Sequence, residues 1–331
     1  MVACAHNHLF SVARYAHRAL TRFCRGAVYI YSFLMKYIIF IITISIILLE
    51  IVLRLTGGNY LKGITDERNT LYVFHKTLGW FSVPNAAQQF TGSITINIKN
   101  NSLGFRDEEH SIEKTKSRVA VLGDSFVWGY DVEANERFTN LIKNYEVLNW
   151  GVSGYSTDQE YLLYKELAPI YKPDITVVVY HTDDKRSNSI KTIFGGYSKP
   201  TLDKDLNITK PVLGPKITYG NNWFVQHTYI GKLLLRVFIG FLKDDKNPYN
   251  PTIDIIRGFA KLAGSYNSKF ILILTGESPE LNDICMELKC IDARMPKDKY
   301  FLSYGQHWTK EGHEIIAKKL EDEIMRLENK K

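Results

Sequence analysis

Cysteine is scarce in this chain, with four among 331 residues. Their spacing does not form a zinc ribbon. No internal repeat or low-complexity stretch is visible, which argues against a repeat array or a wholly disordered chain. Acidic residues are missing from the first 36 positions, which carry Arg14, Arg18, Arg22, Arg25 and Lys36. The net charge of +7 arises largely there: without those five residues, 37 basic residues face 35 acidic ones. The rest of the chain is close to neutral, so the charge balance gives no nucleic-acid footprint.

Charge is also missing from a long apolar segment. From Ala27 to Leu49 the only charged residue is Lys36, and Tyr37–Leu49 has none. A stretch reaching to Leu55 is long enough to cross a bilayer. A buried soluble helix seldom runs so far without polar residues, and no small-x-small cleavage site follows Leu49. Residues 35–56 are therefore expected to form an uncleaved anchor. Basic residues before it and few after it predict a cytoplasmic N-terminus, with the remainder periplasmic or extracellular. Glu50 and Arg54, four apart, can pair on one helix face. Met35-Lys36 resembles a natural start, which would make residues 1–34 a leader of mis-assigned origin.

Residues 57–115 read as a juxtamembrane connector and a β-rich segment. Within it, Ser93-Ile-Thr-Ile-Asn-Ile98 alternates as a half-exposed strand does. From Arg118 onward the pattern alternates strand and helix. Val119–Gly123, Glu146–Gly151, Ile175–Tyr180 and Lys269–Thr275 read as strands, and Thr157–Tyr171 and Lys310–Leu327 as helices. Such alternation implies a parallel sheet covered on both faces, with ligands at the carboxyl ends of its strands. Residues 190–250 break the rhythm and read as an insertion, helical around His227–Leu242. That helix is expected to pack as a lid; Lys232, Arg236 and Lys243 beside Leu234, Leu235, Phe238 and Phe241 also fit a membrane-facing helix. Cys285 and Cys290 are either a local disulfide or two thiols, since spacing does not fix geometry.

Gly123-Asp124-Ser125-Phe126 closes the first of these strands. A serine just past a strand and opening a helix displays its hydroxyl above the sheet, with backbone N–H groups behind it. The same four residues are also ordinary turn chemistry. A nucleophilic serine needs a base. His307, in a loop before the last helix, can reach another strand end; His313, inside that helix, reads as structural. His181, Asp183 and Asp184 do not read as a metal site, because neighbouring side chains on a strand end alternate faces.

Taken together, these segments resemble the SGNH hydrolase family, also called GDSL esterases, over residues 76–328. Gly123–Phe126 resembles the first family block, Asn149-Trp-Gly-Val-Ser-Gly154 the second, Tyr180-His-Thr-Asp-Asp184 the third and Gly305–His313 the last. The stretch Asn101–Asp107 is similar to one found in membrane-anchored members acting on cell-surface glycans. The resemblance implies a flavodoxin-like three-layer α/β/α fold over 116–331 and acyl-ester chemistry with no metal or cofactor. It makes Ser125 the nucleophile, His307 the base and the Gly154 N–H an oxyanion donor. Two departures stand out. Asp183 occupies the place of the family's oxyanion asparagine, and a carboxylate donates no hydrogen bond unless burial or Asp184 keeps it protonated. Tyr304 and Gly305 occupy the places where the family carries an aspartate, which leaves a Ser125–His307 dyad.

The expectation is a membrane-anchored serine esterase or O-acyltransferase whose substrate is an acylated glycan or other ester. The alternative is an envelope binding or assembly protein that keeps the cleft without turnover.

Overall fold

A computed structural model describes residues 32–57, 71–193, 197–210, 223–241, 247–301 and 304–329. Most of the basic leader (with Cys4 and Cys24), most of the connector and parts of the 190–250 insertion lie outside the described residues. The chain divides into two units, Met1–Gly63 with His227–Leu233, and Ile64–Gln226 with Leu234–Lys331.

In the first unit, helix α1 (Ser32–Thr56) contains an 18-residue stretch of mean hydropathy 2.7 and is long and apolar enough to cross a membrane. Its two threonine hydroxyls are satisfied within the helix: Thr43 Oγ1 donates to the Ile39 carbonyl and Thr56 Oγ1 to that of Val52, both at 2.8 Å. Arg54 Nε donates to Glu50 Oε1 at 2.8 Å, as their spacing implied.

The second unit opens with two antiparallel hairpins, β1 (Tyr72–His75) with β2 (Gly79–Ser82) and β3 (Ala87–Thr91) with β4 (Thr95–Lys99). In β4 Ile96 and Ile98 are buried while Thr95, Asn97 and Lys99 are exposed, as the sequence alternation requires. Next come β5 (Arg118–Gly123), the short helices α2 (Ser125–Trp128) and α3 (Phe138–Leu141), β6 (Glu146–Gly151) and α4 (Thr157–Tyr171). Then follow β7 (Ile175–Tyr180) and α5 (Asp184–Ser187). The insertion contributes two small antiparallel pairs, β8 (Thr192–Ile193) with β9 (Tyr197–Ser198) and β10 (Thr201–Leu202) with β11 (Ile208–Lys210). It also contributes helices α6 (Trp223–His227) and α7 (Tyr229–Phe241), the latter running from the first unit into the second. The chain continues through α8 (Thr252–Ser265), β12 (Lys269–Leu274), α9 (Asn282–Glu287), β13 (Lys289–Asp292) and α10 (Lys310–Asn329).

Five strands form one parallel sheet in the order β13-β12-β7-β5-β6. Numbered by their occurrence this is 2-1-3-4-5, the flavodoxin-like doubly wound order. The continuous apolar runs arise because each strand is covered on both faces. Ala120, Leu122, Leu148, Trp150, Val178 and Leu272 point to one face, where Leu162, Tyr164, Ile256 and Phe259 of α4 and α8 pack. Val119, Val121, Val177, Val179, Ile271 and Ile273 point to the other, against Phe138, Ile316, Leu320 and Ile324 of α3 and α10. Helix α4 starts at a capping box, Ser156 with Gln159, and stops at Lys172 in the left-handed region, with Pro173 following. The edge strand β13 was not foreseen, because four residues containing Lys289 and Cys290 give no apolar run. A disulfide joins Cys285 of α9 to Cys290 of β13.

Candidate active site

The switch in strand order falls between β6 and β7, on either side of β5, and the loops leaving β5, β6 and β7 meet there. They line a cleft of about 350 Å³ together with the loop before α10. All four residues singled out from the sequence, Ser125, Gly154, Asp183 and His307, line it, so distant segments converge on one site. His307 Nε2 lies 2.7 Å from Ser125 Oγ, across 182 residues of sequence. With Nε2 unprotonated, the serine hydroxyl donates to it, which is the hydrogen bond that activates a nucleophile.

The turn that presents Ser125 is held locally. Asp124 caps α2 by accepting from the Phe126 N–H at 3.0 Å. Strand β6 ends close beneath it: a Cβ on Gly151 would stand 2.5 Å from the Trp128 backbone nitrogen, so only glycine allows this approach. The far end of α2 is held by two buried arginines. Arg106 donates to the carbonyls of Trp128 (3.3 Å), Gly129 (2.6 Å) and Val132 (2.9 Å). Arg137 donates to the Trp128 carbonyl at 3.2 Å and to that of Arg106. Arg106 and Asp107 belong to the Asn101–Asp107 stretch. Their place in this structure is support for the turn: Asp107 Oδ2 accepts from the Asn149 N–H of β6 at 2.8 Å.

The loop that Arg106 fastens carries Tyr130, and Tyr130 stacks on the His307 ring with centroids 4.2 Å apart at 20°. Phe126 approaches the same ring at 5.2 Å. The imidazole is thus clamped between aromatic rings. Gly305 lies against its edge in the left-handed region (φ 83°), where a Cβ would stand 2.4 Å from Cε1 and 3.0 Å from each ring nitrogen. An aspartate therefore does not fit at 305 without displacing the His307 ring. Sequence reasoning missed Tyr130, Phe126 and Arg106 as supports, since nothing in their spacing ties them to His307. His313 is buried in α10 and accepts from the Phe138 N–H at 3.3 Å. Burial, reinforced by Arg137, His307 and Arg106, pulls it down to about 3, so it is a neutral packing residue.

Acidity dominates the floor of the cleft. Asp184 is buried and accepts from the His181 N–H at 3.1 Å. Asp183, one residue earlier, is exposed. His181 Nδ1 lies 3.9 Å from Asp124 Oδ2, a distance for Coulomb attraction and too long for a hydrogen bond. Behind these groups α4 buries Asp158 and Glu160, and both Glu160 oxygens lack a hydrogen-bond partner among the described residues. The buried cation here is Lys199, whose Nζ pairs with Asp158 and donates to the Ser187 carbonyl at 3.0 Å. One ammonium does not balance four buried carboxyls. Burial, and then the neighbouring acids, hold Asp124 above the ordinary carboxylate range and Glu160 and Asp184 well above it. Among the described residues no three His, Cys, Asp or Glu are grouped so as to hold a metal ion.

No protein-family model matches the chain, and no curated protein matches it. Solved structures similar to it include a GDSL-like lipase from Bacteroides thetaiotaomicron (15% identity, 64% of this chain and 89% of that one, TM-score 0.38). A psychrotrophic esterase from Pseudoalteromonas sp. is similar at 11% identity, over 65% of this chain and 100% of that one, with a TM-score of 0.35. A catalytic mutant of an acetylxylan esterase from Geobacillus stearothermophilus is similar at 11% identity, over 62% and 92%, with a TM-score of 0.37. The fold itself stands on the strand order and pairing.

Proposed function

We propose that the protein is a membrane-anchored serine esterase or O-acyltransferase of the SGNH type, working through a Ser125–His307 dyad. The 2.7 Å contact between Ser125 Oγ and His307 Nε2 carries this reading. In the first half-reaction Ser125 Oγ attacks the acyl carbonyl carbon and its proton passes to Nε2. The oxyanion forms toward the N–H groups of Ser125 and Gly154. Collapse expels the alcohol, which takes the proton from His307, and leaves an acyl-enzyme. Water or a sugar hydroxyl then attacks the acyl carbon, giving its proton to His307; the acyl–Oγ bond breaks, Ser125 Oγ takes that proton back, and the acid or the new ester leaves. The substrate class we assign is an acyl, chiefly acetyl, ester of an envelope glycan.

The anchor reading draws on the apolar α1 and on the basic residues before it. The Cys285–Cys290 disulfide supports a catalytic unit in an oxidising, extracytoplasmic compartment. The domain division proposed from the sequence is kept: leader 1–34, anchor 35–56, connector 57–115 and catalytic domain 116–331 with its insertion 190–250. A second reading, a binding or assembly protein without turnover, is favoured by one observation. Asp183 lines the cleft where an oxyanion donor is needed, and loss of such a donor costs about 10²- to 10³-fold in rate.

Fluorophosphonate labelling separates the two. Wild-type protein should become covalently labelled and Ser125→Ala should not. Folded wild-type protein that takes no label would overturn the enzyme reading.

A further inference from the structure

Helix α7 carries an outward apolar stripe. Ile230, which is half-buried, and the exposed Leu234 and Val237 follow the i, i+4, i+7 spacing of one helix face. Leu234 is 58% and Val237 51% exposed, while Gly231 and Leu235, on the neighbouring face, are buried. Trp223 and Phe224 of α6, just upstream, are exposed as well. Lys232 and Arg236 stand about half a turn round the helix from the stripe. A helix that served only as a lid would have no use for a second apolar face.

What meets that face is indicated by the start of the same helix. Glu50 of α1 accepts from the backbone N–H groups of Tyr229 and Ile230, each at 3.0 Å. Arg54 donates to the His227 carbonyl at 2.8 Å, and its guanidinium lies 5.4 Å from the centre of the Tyr229 ring. Lys232 Nζ sits 5.0 Å from the same ring. Glu50 and Arg54 are the first charged residues after the uncharged run Tyr37–Leu49, so they mark where α1 leaves the hydrocarbon. The first turn of α7 is hydrogen-bonded at that level. Tyr229 between two cations is the kind of aromatic that sits at the head-group boundary.

We propose that helix α7, over residues 229–237, is a membrane-surface element. Its occupant is the lipid of the bilayer that α1 crosses, with Ile230, Leu234 and Val237 turned into the interface and Lys232 and Arg236 toward the head groups and water. The inference rests on the anchor part of the proposed function and not on its chemistry. It implies that α7 is held in place by the anchor and the lipid together.

The test uses the full chain carrying Cys4→Ser and Cys24→Ser, since Cys285 and Cys290 are tied in a disulfide. Single cysteines replace Ile42, Leu234, Val237 or Arg236 and carry an environment-sensitive fluorophore. Each protein is reconstituted in vesicles of phosphatidylcholine and phosphatidylglycerol. Labels at 234 and 237 should be quenched by spin-labelled lipid with the spin near the head group, and should lose quenching by aqueous iodide. The label at 236 should keep iodide quenching, and the one at 42 should respond to a spin deep in the acyl chain. If 234 and 237 match 236 while 42 is lipid-quenched, the inference is overturned and the anchor stands. If 42 is not lipid-quenched, the anchor reading falls and the inference with it. Fluorophosphonate labelling of the same vesicles reports the chemistry separately.

Discussion

Replacing Gly305 by alanine adds one methyl group, and the site geometry makes that methyl expensive. It would stand 2.4 Å from His307 Cε1, about 1 Å inside an ordinary carbon–carbon contact. One of two things must yield. The backbone at 305 is in the left-handed region (φ 83°), which costs an alanine roughly 1–2 kcal/mol. The imidazole is the other movable part, but Tyr130 stacks on it at 4.2 Å and Phe126 closes in at 5.2 Å. A ring pushed by about 1 Å loses its 2.7 Å contact with Ser125. Misplacement on that scale costs on the order of 10²-fold in rate. The expected result for Gly305→Ala is a drop of about that size in kcat for p-nitrophenyl acetate, with a parallel slowing of fluorophosphonate labelling. Gly264→Ala is the control, because nothing lies within 4 Å of a Cβ there. A well-folded Gly305→Ala protein with a kcat within about twofold of wild type would refute the argument that the ring is fixed by its neighbours. By the same reasoning Gly305→Asp should lower activity, although it brings an acid to a place where the family carries one.

Two further predictions concern charge. If Asp183 stands in for a lost oxyanion donor, Asp183→Asn should raise kcat, by up to about 10²-fold; a fall would assign Asp183 a function of its own. His313 sits near 3 in the fold and near the ordinary 6.5 when unfolded, so between those values the unfolded chain binds the extra proton. It therefore contributes stability that is present above about pH 6.5 and lost as pH falls toward 3, by up to about 1.4 kcal/mol per pH unit. His313→Gln keeps an acceptor for the Phe138 N–H and removes the titration. Urea unfolding between about pH 7 and pH 4 should show a shallower loss for the variant than for wild type, and parallel curves would contradict the assignment.

Much of this site was legible because its parts are local signals. The Gly-Asp-Ser-Phe turn follows an apolar strand, Gly154 lies in the loop after β6, and His307 precedes an amphipathic helix. The first two sit at strand ends, which a parallel sheet gathers, and the loop before α10 brings His307 to them. The sheet was legible for the same reason: strands covered on both faces must be apolar at every position. Strand β13, with Lys289 and Cys290 on an edge, carries no such run and went unread.

The sequence by itself determined the apolar span, the doubly wound sheet and the residues that meet in the cleft, since period and position encode them. Only the tertiary structure decided how His307 is held and how the cleft is charged. Tyr130 lies on His307 because Arg106, from a loop ahead of the sheet, fixes the carbonyls after α2. Lys199 reaches Asp158 across 41 residues and, among the described residues, leaves Glu160 and Asp184 without a buried cation of their own. Such contacts join residues with no shared periodicity. Their energies come from stacking and from desolvation, which depend on what surrounds a side chain and not on its neighbours in sequence.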